Sequence, residues 1–353
     1  MTAAYFRTRF SRSLAHRGRA IALAHPYLVT AAATVGALAV SALVNRRLAR
    51  NAENANPPAG QFLEVNGVRL HYVERGSGAP LVLLHGNGSM IQDFESSGLV
   101  DLASKNYRVI AFDRPGFGHS GRPRKVVWTP AAQAEVINRA LQRLGVSHAI
   151  VLGHSWGASV AVALALKYPD LVRGLVLASG YYYPTARADV LALSVPAVPL
   201  AGDVICHTVS PIAGRIMWPV MMAKIFGPQS VPKKFEAFPK EMAVRPSQIR
   251  AAAAESALMI PDAFEFKDQY GKLKMPVSII AGEDDRLIAI DEQSRRLHAN
   301  VAQSRFHPVP GNGHMVHQTA TNSVMLAIDE VSRDMPSEPT RNARVKQPAA
   351  FPA

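Results

Sequence analysis

The sequence predicts an α/β fold: a mostly parallel eight-stranded sheet flanked by helices, carrying an inserted helical cap and preceded by an apolar helix. Three observations predict it. From Phe62 onward, short β-rich runs alternate with helical stretches, which is the pattern of a parallel sheet covered on both faces. Runs such as Leu81 to Leu84 and Ile150 to Gly153 are continuously apolar, as strands buried on both sides require. The alternation then breaks once, for almost a hundred residues between Ser179 and Val277. A structureless loop of that length is improbable, so an inserted helical subdomain is expected there.

The chain has 353 residues, 48% of them hydrophobic and 18% charged, which suits a folded domain with a sizeable core and excludes a mostly disordered chain. The single cysteine, Cys206, excludes an internal disulfide, CxxC redox chemistry and a cysteine zinc site. The formal net charge of +13 is unevenly placed, because the first 50 residues carry eight arginines and no acid. Residues 51–332 are left at +3. A nucleic-acid-binding protein would concentrate its basic residues on the fold, and no such module is visible, so no nucleic-acid partner is expected.

In chain order, residues 1–25 form a basic N-terminal segment, and 26–45 contain the apolar run Tyr27 to Val44. Its 18 residues would span roughly 27 Å as a helix, enough for a bilayer core. A single-pass anchor in a bacterial inner membrane is the expectation; a cleaved signal peptide is the competing reading, with Ala37, Ala39 and Ala42 available for a cleavage site. Five arginines precede the run and three follow it, an excess that favours an N-terminus kept inside. Residues 46–60 read as a linker with Pro57 and Pro58 near its end. Two antiparallel strands, Phe62 to Gly67 and Val68 to Gly76, should open the body. Six further strands are expected in Pro80 to Gly86, Arg108 to Gly116, Ala149 to Ser155, Gly174 to Gly180, Val277 to Asp285 and Ser304 to His314. The intervening helices are expected at Ile91–Ser104, Thr129–Leu144, Trp156–Tyr168, Asp291–Val301 and Met315–Ser332. The core thus divides into 61–182 and 274–334 around a cap at 183–273, and the proline-rich stretch 335–353 reads as a disordered tail.

The strongest chemical signal is Gly153-His154-Ser155-Trp156-Gly157 between a strand and a helix. This G-x-S-x-G turn lifts a serine hydroxyl to a helix N-terminus at the carboxyl edge of the sheet, and its glycines are needed because the turn is tight. A serine needs a base and an orienting acid to act as a nucleophile. His314, in Gly311-Asn312-Gly313-His314 after the last strand, is the expected base. Asp285 is preferred as the acid over its neighbours Asp284 and Glu283. His317 should serve packing or lie at the surface. The backbone N–H groups of Asn87, in His85-Gly86-Asn87-Gly88, and of Trp156 are expected to form an oxyanion hole. His85 is expected to bond nearby backbone, and the loop Asp113 to Ser120 to be a rigid neighbour of the site.

Five motifs in order, 85–88, 113–120, 153–158, 282–286 and 311–314, resemble those of the α/β-hydrolase superfamily, in the branch with a cap between the sixth and seventh strands. The resemblance covers about Gln61 to Asp334. It is similar to epoxide hydrolases, haloperoxidases and haloalkane dehalogenases, but epoxide hydrolases and haloalkane dehalogenases use an aspartate nucleophile where this chain has Ser155. The resemblance implies an ester hydrolase acting through an acyl-enzyme on a small-molecule acyl substrate, with no metal and no cofactor. A perhydrolase, a C–C bond hydrolase or a proline-releasing peptidase would carry the same motifs, and a non-catalytic binding protein is the alternative of another class. Tyr181, Tyr182, Tyr183, Trp218, Met221 and Met222 are candidates for an apolar pocket under the cap, with core packing the competing reading. The oligomeric state is left open.

Overall fold

The computed structural model describes residues 26–335, so the basic segment at 1–25 and the tail beyond Met335 lie outside the described residues. Strands β1 (Gln61–Val65), β2 (Val68–Arg75), β3 (Ala79–Leu84), β4 (Tyr107–Phe112), β5 (Ala149–His154), β6 (Val172–Ala178), β7 (Val277–Gly282) and β8 (Ser304–Val309) form one sheet. Their spatial order is β1-β2-β4-β3-β5-β6-β7-β8. β1 and β2 are antiparallel, and β2 is antiparallel to β4. All pairs from β4 to β8 are parallel, which places the carboxyl ends of these six strands along one edge. That edge is where an open α/β sheet offers its site.

Side chains alternate across the sheet with the two-residue period of a strand. Val82, Leu84, Ile110, Val151 and Leu177 face one core layer together with Ile137 and Leu164. Leu83, Val109, Ile150, Leu152 and Val176 face the other, with Phe94, Val324 and Ile328. The helices before the insertion are, in order, α1 (Pro26–Ala55), which lies off the sheet, and the covering helices α2 (Ile91–Ser97), α3 (Leu99–Ala103), α4 (Pro130–Arg143) and α5 (Trp156–Lys167). The insertion between β6 and β7 is helical, as expected, with α6 (Ala188–Ser194), α7 (Ala201–Thr208), α8 (Ser210–Phe226), α9 (Lys240–Ala243) and α10 (Pro246–Phe266). The chain closes with α11 (Arg296–Asn300), α12 (Val316–Thr319) and α13 (Thr321–Asp334).

Three expectations need correction. The linker at 46–60 is helical as far as Ala55, because Arg46 to Asn54 contains no breaker until Pro57 and Pro58, and because the cap supplies partners for this part of the helix. Asn45 Nδ2 donates to the carbonyl oxygens of His207 and Thr208 at 3.1 and 2.9 Å, and Glu53 pairs with Arg245 at 2.7 Å. The helix expected at Ile91–Ser104 divides at Gly98, whose φ of +80° ends one helix in the left-handed region that glycine tolerates best. The final helix likewise breaks at Ala320 into α12 and α13.

The cap is tied to the core through a buried ion pair. Arg114, on the loop after β4, and Glu255, on α10, both have fully buried side chains and meet at 2.5 Å. Arg114 also donates to the carbonyl oxygens of His85 and Gly86 at 2.7 and 2.9 Å and to Gln133 Oε1 at 2.8 Å. Gln133 Nε2 in turn donates to Glu255 at 2.8 Å. Every nitrogen of the guanidinium therefore has an acceptor, which a buried cation requires. Removing one partner leaves the other charge buried and alone. Glu255→Ala should destabilise the full-length protein by about 3–5 kcal/mol, read as a lower thermal unfolding midpoint in detergent, with the double replacement Arg114→Met/Glu255→Met recovering most of the loss. A single variant that melts with the wild type would contradict this role.

Candidate active site

Ser155 sits between β5 and α5 with φ +52° and ψ −121°, a strained conformation for a residue with a side chain. The turn is possible only because its neighbours lack side chains. A Cβ on Gly153 would lie 2.3 Å from the Gly157 carbonyl oxygen, and one on Gly157 would lie 2.1 Å from that of Leu84. Gly86 is confined less severely, since its Cβ would be 3.1 Å from Ser155 Cβ. The end of β3 therefore passes directly against the serine.

Two backbone amides flank this point. Trp156 opens α5, where first-turn N–H groups have no intrahelical acceptor and the helix dipole favours negative charge. Asn87 follows Gly86, and its side-chain amide donates to Ala252 O and Ser256 Oγ of α10, both at 3.1 Å. Neither amide N–H has a backbone acceptor among the described residues.

His314 and Asp285 come from the loops after β8 and β7. Their side chains meet at 2.7 Å, His314 Nδ1 to Asp285 Oδ2, and both are nearly fully buried. The other oxygen, Oδ1, accepts from the N–H groups of Leu287 and Ile288 at 2.8 and 2.9 Å, so the carboxylate is held at both ends. Glu283 and Asp284 are exposed. The Asp284 N–H donates to Asn312 O at 3.0 Å, and a Cβ on Gly282 would lie 2.2 Å from that same oxygen. The two loops are thus joined by backbone. His314 N–H donates to Ile225 O at 3.0 Å, which ties the loop to cap helix α8. No hydrogen bond links Ser155 Oγ to His314 in this structure; such contacts commonly tighten only with substrate bound.

Behind the pair lies a group that the sequence reading did not assemble. His154 Nε2 is 3.1 Å from the His314 carbonyl oxygen. Its ring lies 4.2 Å from that of His317. Burial first, and then the neighbouring His317 and His314, hold the His154 imidazole well below its usual pKa. It is therefore neutral and donates through Nε2. His317, expected in packing or at the surface, is fully buried and bonds Asp93 at 2.9 Å. Burial raises the Asp93 pKa, but the interactions with His317, His154 and Gln318 together outweigh it and hold the carboxyl below its usual range. Asp93, His154 and His317 bring one potential metal-ligand atom each within 4.8 Å of one another. They lie far apart in sequence, and the seating of α2 and α12 against the end of β5 brings them together.

The pocket candidates divide. Trp218 and Met222 of α8 join Phe226, Phe235, Phe238, Met90 and Met315 in one apolar cluster. Met90 and Met315 follow the Asn87 and His314 loops directly, so this cluster borders the site, and neither was singled out from sequence. Met221 is exposed. Tyr181 packs on Ala263 and Ile288. Tyr182 and Tyr183 belong to the main core instead. Their backbone N–H groups both donate to Gln293 Oε1, at 2.7 and 2.8 Å.

These features together define a class: a strained serine turn at the sheet edge, a histidine-carboxylate pair on the last two strand loops, and an inserted run of helices between β6 and β7. The model of the alpha/beta hydrolase fold matches residues 79–321, and the chain belongs to that family. Among curated relatives it is similar to haloalkane dehalogenase 2 of Mycobacterium tuberculosis, 34% identical over 137 residues, which cover 39% of this chain and 46% of that protein. The chain spans about half the length of the first curated relatives that it matches. Among solved structures it is similar to an esterase of Thermogutta terrifontis, with TM-score 0.66, 23% identity and coverage of 78% of this chain and 98% of that one. It is also similar to a membrane phospholipase A, described as a bacterial virulence factor, with TM-score 0.62, 20% identity and coverage of 92% and 99%.

His85 offers a pH test of this neighbourhood. Its Nε2 accepts from Arg114 N–H at 3.0 Å, and Nδ1 lies 2.8 Å from Gly86 O, which fixes the neutral Nδ1–H tautomer. Burial, reinforced by the Arg114 charge, lowers its pKa from 6.5 to about 3. The unfolded chain therefore binds a proton below pH 6.5 that the folded chain refuses until about pH 3, and stability is lost on acidification through that window. Gln can make both hydrogen bonds without titrating. Between pH 7 and pH 5 the wild type should accordingly lose about 2 kcal/mol of stability relative to His85→Gln in thermal melts. A gap constant with pH would contradict the neutral assignment.

Proposed function

We propose that this protein is a membrane-anchored serine hydrolase that cleaves an ester-like bond in a small to medium apolar substrate. The observation that carries the reading is Ser155 held at φ +52° between Asn87 and Trp156, whose backbone N–H groups have no backbone acceptor among the described residues, with a histidine-carboxylate pair closed at 2.7 Å on the neighbouring loops. In this reading His314 Nε2 removes the Ser155 proton as Oγ attacks the carbonyl carbon. Asp285 keeps the His314 proton on Nδ1 and stabilises the imidazolium that forms. The oxyanion is received by the N–H groups of Asn87 and Trp156; one such donor is worth about 2.7–4 kcal/mol where it has been measured in a serine hydrolase. His314 returns the proton to the leaving group, then activates a water that attacks the acyl-Ser155 ester and regenerates the serine. The likeness to haloalkane dehalogenases does not extend to the nucleophile, because a serine cannot replace the carboxylate that forms an alkyl ester.

The apolar cluster of Trp218, Met222, Met90 and Met315 supports an apolar acyl group, with Tyr181 on the far side and Met221 outside. Helix α1 supports the anchor: it is 30 residues long, and its most apolar stretch has no buried residue. The likeness to a membrane phospholipase over nearly the whole chain is consistent with that placement.

The test is turnover of nitrophenyl esters of graded chain length, with fluorophosphonate labelling of the full-length protein. Ser155→Ala should abolish labelling and lower turnover by at least about 1000-fold. Asp285→Ala should lower turnover while keeping the labelling site. Labelling or turnover that persists in the Ser155 variant would overturn the reading.

A further inference from the structure

The outer surface of the cap is apolar to a degree that a water-facing surface rarely is. From Val190 to Ala223 the chain contains only two charged side chains, Asp203 and Arg215, and both are engaged. Asp203 pairs with Arg250 and Arg124. Arg215 pairs with Glu241 at 2.9 Å and donates to Asn45 Oδ1 at 3.2 Å. Between these tethers, Leu191, Leu200, Val204, Ile212, Ile216 and Val220 are all exposed, Leu200 at 82% and Ile216 at 70%. On α8 the outward residues recur at the four-residue spacing of one helix face (Ile212, Ile216, Val220), while Trp218, Met222 and Phe226 turn inward to the cluster beside the site. A contiguous exposed apolar surface of this kind marks an interaction site rather than ordinary solvent exposure.

What covers it is indicated by α1. That helix joins the cap just where its apolar run ends: Ser41 Oγ donates to Thr208 O at 2.8 Å, and Asn45 is buried there. Further along, Ala52 packs in the same cluster as Met90, Met222 and Met315. Residues 26–40 project away from the body with no buried residue. The helix pair formed by Ala188–Ala197 and Ala201–Thr208 is itself apolar enough to pass for a membrane segment bent by 95°. An apolar helix leaving an apolar surface at its edge fits one solvent for both.

We propose that the outward face of α6, α7 and α8 lies in the interfacial region of the phospholipid bilayer that α1 crosses, and that the substrate is an amphiphile with an acyl chain taken directly from that bilayer. The substrate half rests on the serine hydrolase reading above. Helix α8 is then the partition, with one face in lipid and the other bordering Met90, Met315 and the site.

The experiment uses the full-length chain, carrying Cys206→Ser, in vesicles of phosphatidylethanolamine and phosphatidylglycerol. Single cysteines at Val35, Leu200, Ile216, Val220 and Asp101 are labelled with bimane and exposed to doxyl-labelled phospholipid. Quenching at 200, 216 and 220, as at 35 and unlike 101, is expected. Quenching at 35 alone would leave the anchor intact and overturn the cap surface as a bilayer face, as would bimolecular cross-linking through position 216, which would assign the surface to a second copy. No quenching at any position would overturn both. In parallel, Ile216→Lys/Val220→Lys should lower turnover of a vesicle-embedded acyl ester by about tenfold, with soluble nitrophenyl acetate turnover and fluorophosphonate labelling unchanged. Equal turnover of the embedded ester by variant and wild type would overturn delivery from the bilayer. Absence of labelling in the wild type would overturn the hydrolase reading and leave the quenching result to decide the surface.

Discussion

At Ser155 the chain passes closer to itself than side chains allow. Gly153 and Gly157 each have backbone atoms where a Cβ would stand, a Cβ on Gly86 would lie 3.1 Å from Ser155 Cβ, and the serine between them holds a positive φ. That crowding brings the end of β3 against the start of α5, so that the Asn87 and Trp156 amides flank one point. It also brings His154 against the His314 loop. The strained backbone of Ser155 and the seating of the His314 loop both follow from how tightly these three segments are pressed together.

The charges are arranged to keep that arrangement fixed. Arg114 reads the carbonyl oxygens of His85 and Gly86 while pairing with Glu255 of the cap. The strand end that presents Asn87 is therefore locked to α10, whose Ser256 and Ala252 also hold the Asn87 side chain. Core and cap consequently meet through a buried, hydrogen-bonded ion pair as well as through apolar packing. Such a network specifies one docking geometry for the cap, because any shift would leave a buried charge without a partner.

The strands were legible because each is a short apolar run, and their parallel order followed from the helices between them. The positions of Ser155, Asp285 and His314 were legible because the motifs place them at strand ends. Three things were not. The extension of α1 through Ala55 depends on Asn45 and Glu53 finding cap partners, which no local pattern announces. Asp93, His154 and His317 converge from segments separated by more than 60 residues, so their association is a product of packing. Tyr182 and Tyr183 read as pocket residues by composition, yet the strand before them turns both into the core, where Gln293 holds their backbone. The apolar outer surface of the cap had a signal, the 34 residues from Val190 to Ala223 with only two charges. Composition alone could not distinguish a cap interior from a cap exterior.

The most direct measurement of the central claim is a crystal structure of the full-length protein after reaction with a fluorophosphonate. Phosphorus is expected bonded to Ser155 Oγ, with the phosphoryl oxygen within about 3 Å of both the Asn87 and Trp156 nitrogens and His314 Nε2 facing the bond to Ser155. A phosphoryl oxygen turned away from those two amides, or an adduct on any other residue, would contradict it.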